Sequence, residues 1–219
     1  MGYRYDDLAP GEVYHVFSRG VEKRKIFLDY NDRQRFLSLL IHCLHRGPSR
    51  CFSLSKKMKE ENNLVLGGEG LVDLLCYCLM DNHVHLLIRE NIEGGTSLYM
   101  RRLLTSYSRY FNIRCDRSGS LFIHPFKAIL IEQDEQLLHV SRYIHLNPYV
   151  ARITGEMSGY EWSSLDNYTS GGLKRNIMCH RTLIHSMMSA NKYRSFVEDE
   201  ADYARSIADV GHLLIDLED

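Results

Sequence analysis

Two histidines separated by one residue, His83-Val84-His85, carry the spacing in this 219-residue chain that most directly suggests chemistry. Successive side chains of a strand point to opposite faces, so His83 and His85 would share a face about 7 Å apart. Two imidazoles converging from one strand can hold a divalent metal. Two solvated or hydrogen-bonded histidines would give the same pattern, and the pair alone completes neither a ligand count nor a geometry. Tyr143 and Asn147 lie four residues apart, the spacing that stacks side chains on one helical face. An amide oxygen can ligate a metal, and a phenol one turn away would then lie beside that metal. A phenol ionises near pH 10 and attacks poorly at neutral pH, but a neighbouring cation favours the phenolate. Spacing alone leaves open a half-buried core aromatic and a helix end before Pro148. His145 falls roughly opposite Tyr143 and is expected outside any such site.

Two other tyrosines could be mistaken for a nucleophile. Tyr107 is followed four residues later by Phe111 and Tyr110 by Arg114, so neither has an amide, imidazole or acid one turn away. Candidate phosphate contacts are Arg101, Arg102 and Arg109, with Lys127, Arg142 and Arg19. Each could equally be a solvated surface charge. Arg142 stands out because it adjoins Tyr143, and Arg19 because it ends a predicted strand.

These residues need elements to hold them. Val13 to Val21 is short and β-rich, which predicts a strand. Asn31 to His45 carries apolar residues at helical spacing, with Asp29 or Asn31 as its cap. Leu71–Met80 and Val84–Arg89 are apolar runs joined only by Asp81-Asn82-His83, which predicts an antiparallel hairpin. After Gly94-Gly95, Thr96 or Ser97 can cap a helix reaching about Ile113. Phe122 to Glu132 reads as a strand interrupted by Pro125, hence an edge or a bulge. Asp134 can cap a third helix that reaches about Leu146 and meets Asn147-Pro148. Strand, helix, strand, strand, helix, strand is the order of the split βαβ, ferredoxin-like plan. The expectation is an α+β sandwich with an antiparallel sheet, helices on one face and an added helix carrying Tyr143. Arg46 to Gly70 reads as a long connection, and Ser170-Gly171-Gly172 as a linker. The predicted division is therefore a domain over 1–168 and an acidic helical tail over 169–219.

Charge is close to balanced, with a formal net of −1. That argues against sequence-blind coating of nucleic acid but allows a local basic face. Tyr99 to Arg117 holds five arginines and one acid, whereas Phe196 to Asp219 holds eight acids and one base. The tail's acids could dock on the basic face and compete with DNA. Met1 to Pro10 is polar and lacks a secretory core, and no apolar run approaches the roughly 18 residues of a membrane span. A cytoplasmic protein with reduced thiols is expected. The single residue between Cys76 and Cys78 fits neither a zinc knuckle nor a redox pair, so both are expected in a strand core. His42, Cys43, His45, Cys179, His180 and His185 fit no standard zinc spacing.

Taken in order, several segments resemble a known family. Cys78-Leu-Met-Asp-Asn-His-Val-His-Leu-Leu-Ile88 resembles the HUH motif (His, hydrophobic, His) of single-tyrosine transposases, and most resembles the REP-associated tyrosine transposases. Further matches are Tyr14-His-Val-Phe-Ser-Arg-Gly20, Ser106-Tyr-Ser-Arg-Tyr-Phe-Asn112, Phe126-Lys-Ala-Ile129, Arg142-Tyr-Ile-His-Leu-Asn-Pro148 and Trp162-Ser-Ser164. The resemblance spans roughly Tyr14 to Tyr168; each match alone is weak, and the ordered set is specific. It implies the HUH nuclease fold, His83 and His85 as metal ligands, Asn147 as the third ligand and Tyr143 as the catalytic tyrosine. It implies Mg²⁺ or Mn²⁺ as cofactor, single-stranded or hairpin DNA as partner, and neither a membrane nor a small-molecule substrate. The implied reaction is DNA nicking and strand transfer through a 5′-phosphotyrosine, as in DNA transposition, with a homodimer as one possible assembly. A replication or conjugation initiator, and a hairpin-binding protein that does not cut, are the alternatives. Asp81 stands where the family often has proline, and Ile123-His124-Pro125 replaces a Gln-containing stretch.

Overall fold

The computed structural model describes residues 8–44, 70–169 and 179–209. The long connection read before Gly70 and the linker read at Ser170 fall outside the described residues. Four strands form one antiparallel sheet: β1 (Val13–Arg19), β2 (Val72–Leu79), β3 (His83–Glu90) and β4 (Lys127–Ile131), in the order β2-β3-β1-β4. Helix α1 (Tyr30–His42) joins β1 to β2, and α2 (Gly95–Arg114) joins β3 to β4. The chain is thus α+β with the split βαβ topology anticipated from the order of elements. Helix α3 (Asp134–Val150) follows β4, and α4 (Leu165–Thr169), α5 (Thr182–Met187) and α6 (Ala190–Asp209) complete it. Among the described residues no helix is long and apolar enough to cross a membrane.

The sheet separates two layers. Val84, Leu86 and Ile88 point to one face and are fully buried. Glu90 shares that face, and its carboxylate accepts the Thr96 backbone N–H at 3.2 Å, so the start of α2 lies there. Helix α1 packs against α2, and the Tyr99 hydroxyl donates to the Leu40 carbonyl at 3.1 Å. Helix α3 covers the opposite face, contacting β2, β3 and β4. Both faces are therefore covered along β2 and β3: β2 is buried throughout, and β3 is buried at every position except His83 and Arg89, which are half-buried. Cys76 and Cys78 lie in the core of β2 as their spacing suggested. Burial pushes the Cys43 and Cys179 thiols up to about 12, which leaves them as neutral packing groups.

Several local expectations change. Asp29 caps α1 as anticipated, accepting from the Asp32 N–H at 3.1 Å. Neither Thr96 nor Ser97 caps α2. Its N-cap is Gly94 in the left-handed region, at φ 69°, and the acidic partner of the first turn comes from Glu90 across the chain. Asp134 is the first residue inside α3 rather than its cap. The helix also runs past Pro148 to Val150. Pro148 offers no N–H to the helix, but the Ala151 N–H still reaches the Asn147 carbonyl at 2.9 Å. The strand expected from Phe122 shortens to Lys127–Ile131 because Pro125 lies outside it. Phe122 makes only an isolated bridge to Gly20. Strand β4 is an edge of the sheet.

Residues 179–209 return to the body of the molecule. Tyr193, Val197 and Ala201 form one buried stripe of α6 at four-residue spacing, and α6 packs chiefly on α3.

Candidate active site

The register of β1 against β3 builds the site. Arg19 lies opposite His83, Phe17 opposite His85 and His15 opposite Leu87. On the other side of β1, Lys127 lies opposite Phe17, and on the other side of β3, Cys78 lies opposite His85. Side-chain alternation puts His15, Phe17, Arg19, His83, His85 and Lys127 on the face that α3 covers.

The two histidines of β3 meet edge to face, with ring centroids 4.9 Å apart. Helix α3 brings Asn147 over His85, its amide nitrogen 3.3 Å from Nε2. Tyr143, one turn earlier, sets its ring perpendicular to His85 at 5.7 Å between centroids. Tyr143 and Asn147 thus meet at the His85 imidazole, and His83 presents itself edge to face to that imidazole from the same strand. The helix that delivers Tyr143 and Asn147 is held by a buried network on its far side. His145 Nδ1 lies 2.8 Å from the Tyr193 hydroxyl and Nε2 lies 2.8 Å from Ser164 Oγ. The Tyr193 hydroxyl also donates to Ser141 Oγ at 2.9 Å. His145 is therefore outside the site, as its position on the helix suggested.

Burial pushes the His145 imidazole down to about 3, from an ordinary value of 6.5. The folded state keeps it neutral where the unfolded chain binds a proton. Its contribution to stability is present above pH 6.5 and is lost as pH falls from there toward 3, at up to about 1.4 kcal/mol per pH unit. Urea unfolding of His145→Gln should show a weaker loss of stability between pH 7 and pH 5 than the parent chain. Equal losses would mean that another group sets the acid limit.

The site can be compared with a divalent cation's needs through its donor set. The His83 Nδ1 lies 2.6 Å from Asn82 Oδ1, an acceptor, which puts the proton on Nδ1 and the lone pair on Nε2. The two ends of the Asn147 amide have nearly the same shape, so a half-turn presents Oδ1 to the same point. Among the described residues no three His, Cys, Asp or Glu side chains converge as a metal cluster. The Asn147 amide oxygen can stand beside two imidazoles in such a set, because an amide carbonyl is an ordinary oxygen ligand for divalent cations.

The six basic candidates divide between two faces. Arg19 and Lys127 flank the histidines, and Lys127 Nζ sits 5.7 Å from the centre of the Phe17 ring. Arg142 is committed elsewhere. It stacks on Phe196 at 4.1 Å, donates to the Phe196 carbonyl at 3.3 Å and pairs with Glu200 at 3.4 Å. The acids of α6 thus reach the very arginine that adjoins Tyr143. Arg101, Arg102 and Arg109 lie on α2, behind the sheet from the histidines. Arg101 and Arg109 line two adjoining grooves of about 740 and 730 Å³ that share Leu104, Thr105 and His124. The segment His124-Pro125-Phe126 bounds the second groove and leads directly into Lys127 at the sheet edge.

The decoy tyrosines are structural. Tyr107 donates to the Ile26 carbonyl at 2.5 Å and Tyr110 to Asp32 at 3.0 Å. Burial pushes both phenols up, Tyr107 strongly, away from the phenolate a nucleophile needs. Asp81, unusual against the resembled pattern, anchors the hairpin: it pairs with Arg33 at 2.5 Å and Lys25 at 3.3 Å. The residue that sequence reasoning missed is His15. Its Nε2 lies 2.9 Å from His85 Nδ1, and it is buried at 2% exposure. The only sequence signal was alternation, which puts His15 on the face of Phe17 and Arg19; which strand lies beside it is a tertiary fact.

The profile described as "Transposase IS200 like" matches residues 35–147, just over half of the chain. Among solved structures, a REP-associated tyrosine transposase bound to a REP hairpin is similar in fold, with a TM-score of 0.54. It is 14% identical, and the match covers 83% of this chain and 94% of that one. A candidate transposase from Deinococcus radiodurans R1 is 13% identical over 66% of this chain and 92% of its own. Its TM-score of 0.35 adds nothing to the fold argument. No curated protein matches the sequence. On the extent of the profile match, with a shared fold beside it, the chain belongs to the IS200-like transposase family and is an enzyme of that class.

Proposed function

We propose that this transposase nicks single-stranded DNA and rejoins it through a 5′-phosphotyrosine on Tyr143, at hairpin-forming sequences. The observation that carries the reading is the meeting of His83, His85, Asn147 and Tyr143 at one point on the α3 face of the sheet. His83 and His85 through Nε2, and Asn147 through Oδ1, would hold Mg²⁺ or Mn²⁺. Such a cation, when bound, withdraws charge from the scissile phosphate and lowers the cost of a phenolate beside it.

The remaining chemistry belongs to the side chains. The Tyr143 oxygen loses its proton and attacks phosphorus. The P–O bond to the 3′ oxygen breaks, and that oxygen leaves with a proton as a free 3′-OH. The enzyme stays esterified to the 5′ phosphate. In the reverse sense an incoming 3′-OH attacks the same phosphorus and releases the tyrosine. Each step exchanges one phosphodiester for another, so no ATP is consumed. Arg19 and Lys127 flank the histidines where a phosphate-bearing strand would enter, and phosphate contacts there would fix its register. Arg142 is held by α6 and would serve DNA only on leaving Glu200. An arrangement in which residues 1–168 carry the chemistry and 169–219 form an acidic appendage remains part of this reading.

The solved REP-associated relative is bound to a REP hairpin. For this chain the α2 grooves are the proposed seat of a hairpin stem, because Arg101 and Arg109, two helical turns or about 12 Å apart, can reach separate phosphates of one duplex. A double Arg101→Ala, Arg109→Ala variant should lower the slope of log K against log salt by about 2 for a hairpin oligonucleotide. An unchanged slope removes these two arginines from the interface. The reading as a whole is tested by mixing the protein with Mn²⁺ and a 3′-labelled single-stranded hairpin. A denaturation-resistant protein–DNA adduct with a free 3′-OH on the other fragment is expected. Specific, EDTA-resistant binding with no adduct under any divalent metal would favour a hairpin-binding protein that does not cut. The identity of the hairpin cut would separate transposition from origin nicking.

A further inference from the structure

We propose that His15 is a positioning residue for His85: it holds the imidazole in the single tautomer that presents Nε2 to a divalent cation. This rests on the reading of His83, His85 and Asn147 as the cation's ligands.

The two nitrogens of His85 face different partners: Nε2 lies 3.3 Å from the Asn147 amide, and Nδ1 lies 2.9 Å from His15 Nε2. A ligand that binds through Nε2 needs its lone pair there, so its proton must sit on Nδ1. His15 Nε2 is the atom placed to accept that proton, and it then carries its own on Nδ1. The opposite tautomer would put a proton on His85 Nε2 and abolish the lone pair that a metal needs.

The same logic appears one residue pair away. His83 gives its Nδ1 proton to Asn82 at 2.6 Å and so also presents Nε2. Two ligands thus have two dedicated acceptors, one from the hairpin turn and one from the neighbouring strand. Partners of this kind fix ring orientation and raise ligand basicity.

The placement of His15 is not that of a third ligand. It contacts the side of His85 away from Asn147, and its Nε2 is engaged by the His85 proton. Its ring stacks with His85 at 5.2 Å and 21° and presents an edge to Tyr143 at 6.1 Å. At 2% exposure it is shielded from water that would compete for the His85 proton. Its position opposite Leu87, diagonal to His85, follows from the β1–β3 register, so a one-residue slip would turn it to the other face.

The experiment compares His15→Gln, His15→Asn and His15→Leu with the parent full-length chain. The glutamine carbonyl can reach the place of Nε2 and accept; asparagine is one bond shorter; leucine cannot accept. Long-range ¹H–¹⁵N spectra of the metal-free proteins read the His85 tautomer, and calorimetric titration with Mn²⁺ reads affinity without any DNA reaction. The parent should show His85 protonated on Nδ1. His15→Leu and His15→Asn should lose that single tautomer and weaken Mn²⁺ binding about 10- to 100-fold, the range typical of such partners. His15→Gln should keep the tautomer and bind within about 3-fold of the parent. A merely structural role for His15 would not make glutamine restore both readings while asparagine fails. If leucine does not fold at this buried position, the glutamine–asparagine contrast decides. A parent His85 protonated on Nε2, or Mn²⁺ affinity indifferent to all three variants, overturns the inference and leaves the metal site standing. A parent chain that binds no divalent cation overturns the metal reading and this inference with it.

Discussion

Replacing Tyr143 with phenylalanine is expected to abolish covalent capture of DNA, lowering adduct formation by about three orders of magnitude or more. The substitution removes one oxygen. Tyr143 is half-buried against the core with its ring set against His85, so phenylalanine preserves the packing that positions α3. Hairpin affinity and unfolding temperature should be nearly unchanged. That separation is the informative part, because a variant that still binds and still folds can have lost only the attacking atom. Tyr107→Phe and Tyr110→Phe supply the contrast. Both should retain capture, and Tyr107→Phe should instead lose stability by about 1 kcal/mol for its buried bond to the Ile26 carbonyl. Full capture by Tyr143→Phe would remove it as nucleophile whatever the fate of the metal.

The second large effect is expected from the ligands. Chelation with EDTA should stop adduct formation and leave hairpin binding largely intact, because the arginines of α2 lie behind the sheet from His83 and His85. Substituting either histidine by alanine should depress capture by about two orders of magnitude or more at limiting Mn²⁺. Excess Mn²⁺ should recover part of that loss if the defect is one of affinity. His83→Ala is the cleaner variant, since His83 is half-buried, whereas His85 is fully buried and touches His15, Phe17 and Tyr143. Capture that persists undiminished in both variants and in EDTA would place the chemistry outside this metal-dependent scheme.

How much of this was legible beforehand varies with the physics involved. Short-range periodicity is local, and it read well. Alternation on β3 put Val84, Leu86 and Ile88 in the core and His83 with His85 on the other face. Four-residue spacing put Tyr143 and Asn147 on one side of α3. The βαββαβ order anticipated the sheet β2-β3-β1-β4 because few un-knotted connections of these lengths exist. Cap chemistry read less well. Glu90, six residues before Thr96 in sequence, supplies the acidic partner at the start of α2, and no local signal distinguishes it from Thr96 or Ser97. Pro148 was taken as a stop, yet the next turn of α3 survives because the Ala151 N–H bonds around it.

The charged residues were the least legible. Arg142 is adjacent to Tyr143 in sequence, and adjacency suggested a phosphate contact. On a helix, neighbouring side chains diverge by about 100°, and Arg142 turns to Phe196 and Glu200 of α6. Residues 169–219 were read as an acidic helical tail. Helix α6 within them carries Tyr193, Val197 and Ala201 into the core and fastens the helix that bears Tyr143.

Residue type and local spacing determined which side chains could ligate, which could attack, and which faces of β3 and α3 they occupy. These follow from the fixed periods of strand and helix, which need no knowledge of neighbours. Tertiary structure alone decided that α3 crosses the histidine face and not the opposite one. It also decided that His15 stands beside His85, that Glu200 occupies Arg142, and that Arg101 and Arg109 lie behind the sheet. Each depends on strand order or on contacts between residues 50 or more positions apart, set by the packing of both sheet faces at once. The potential for metal-assisted attack was thus written locally, while the tautomer that would make His85 a ligand is a property of the assembled sheet.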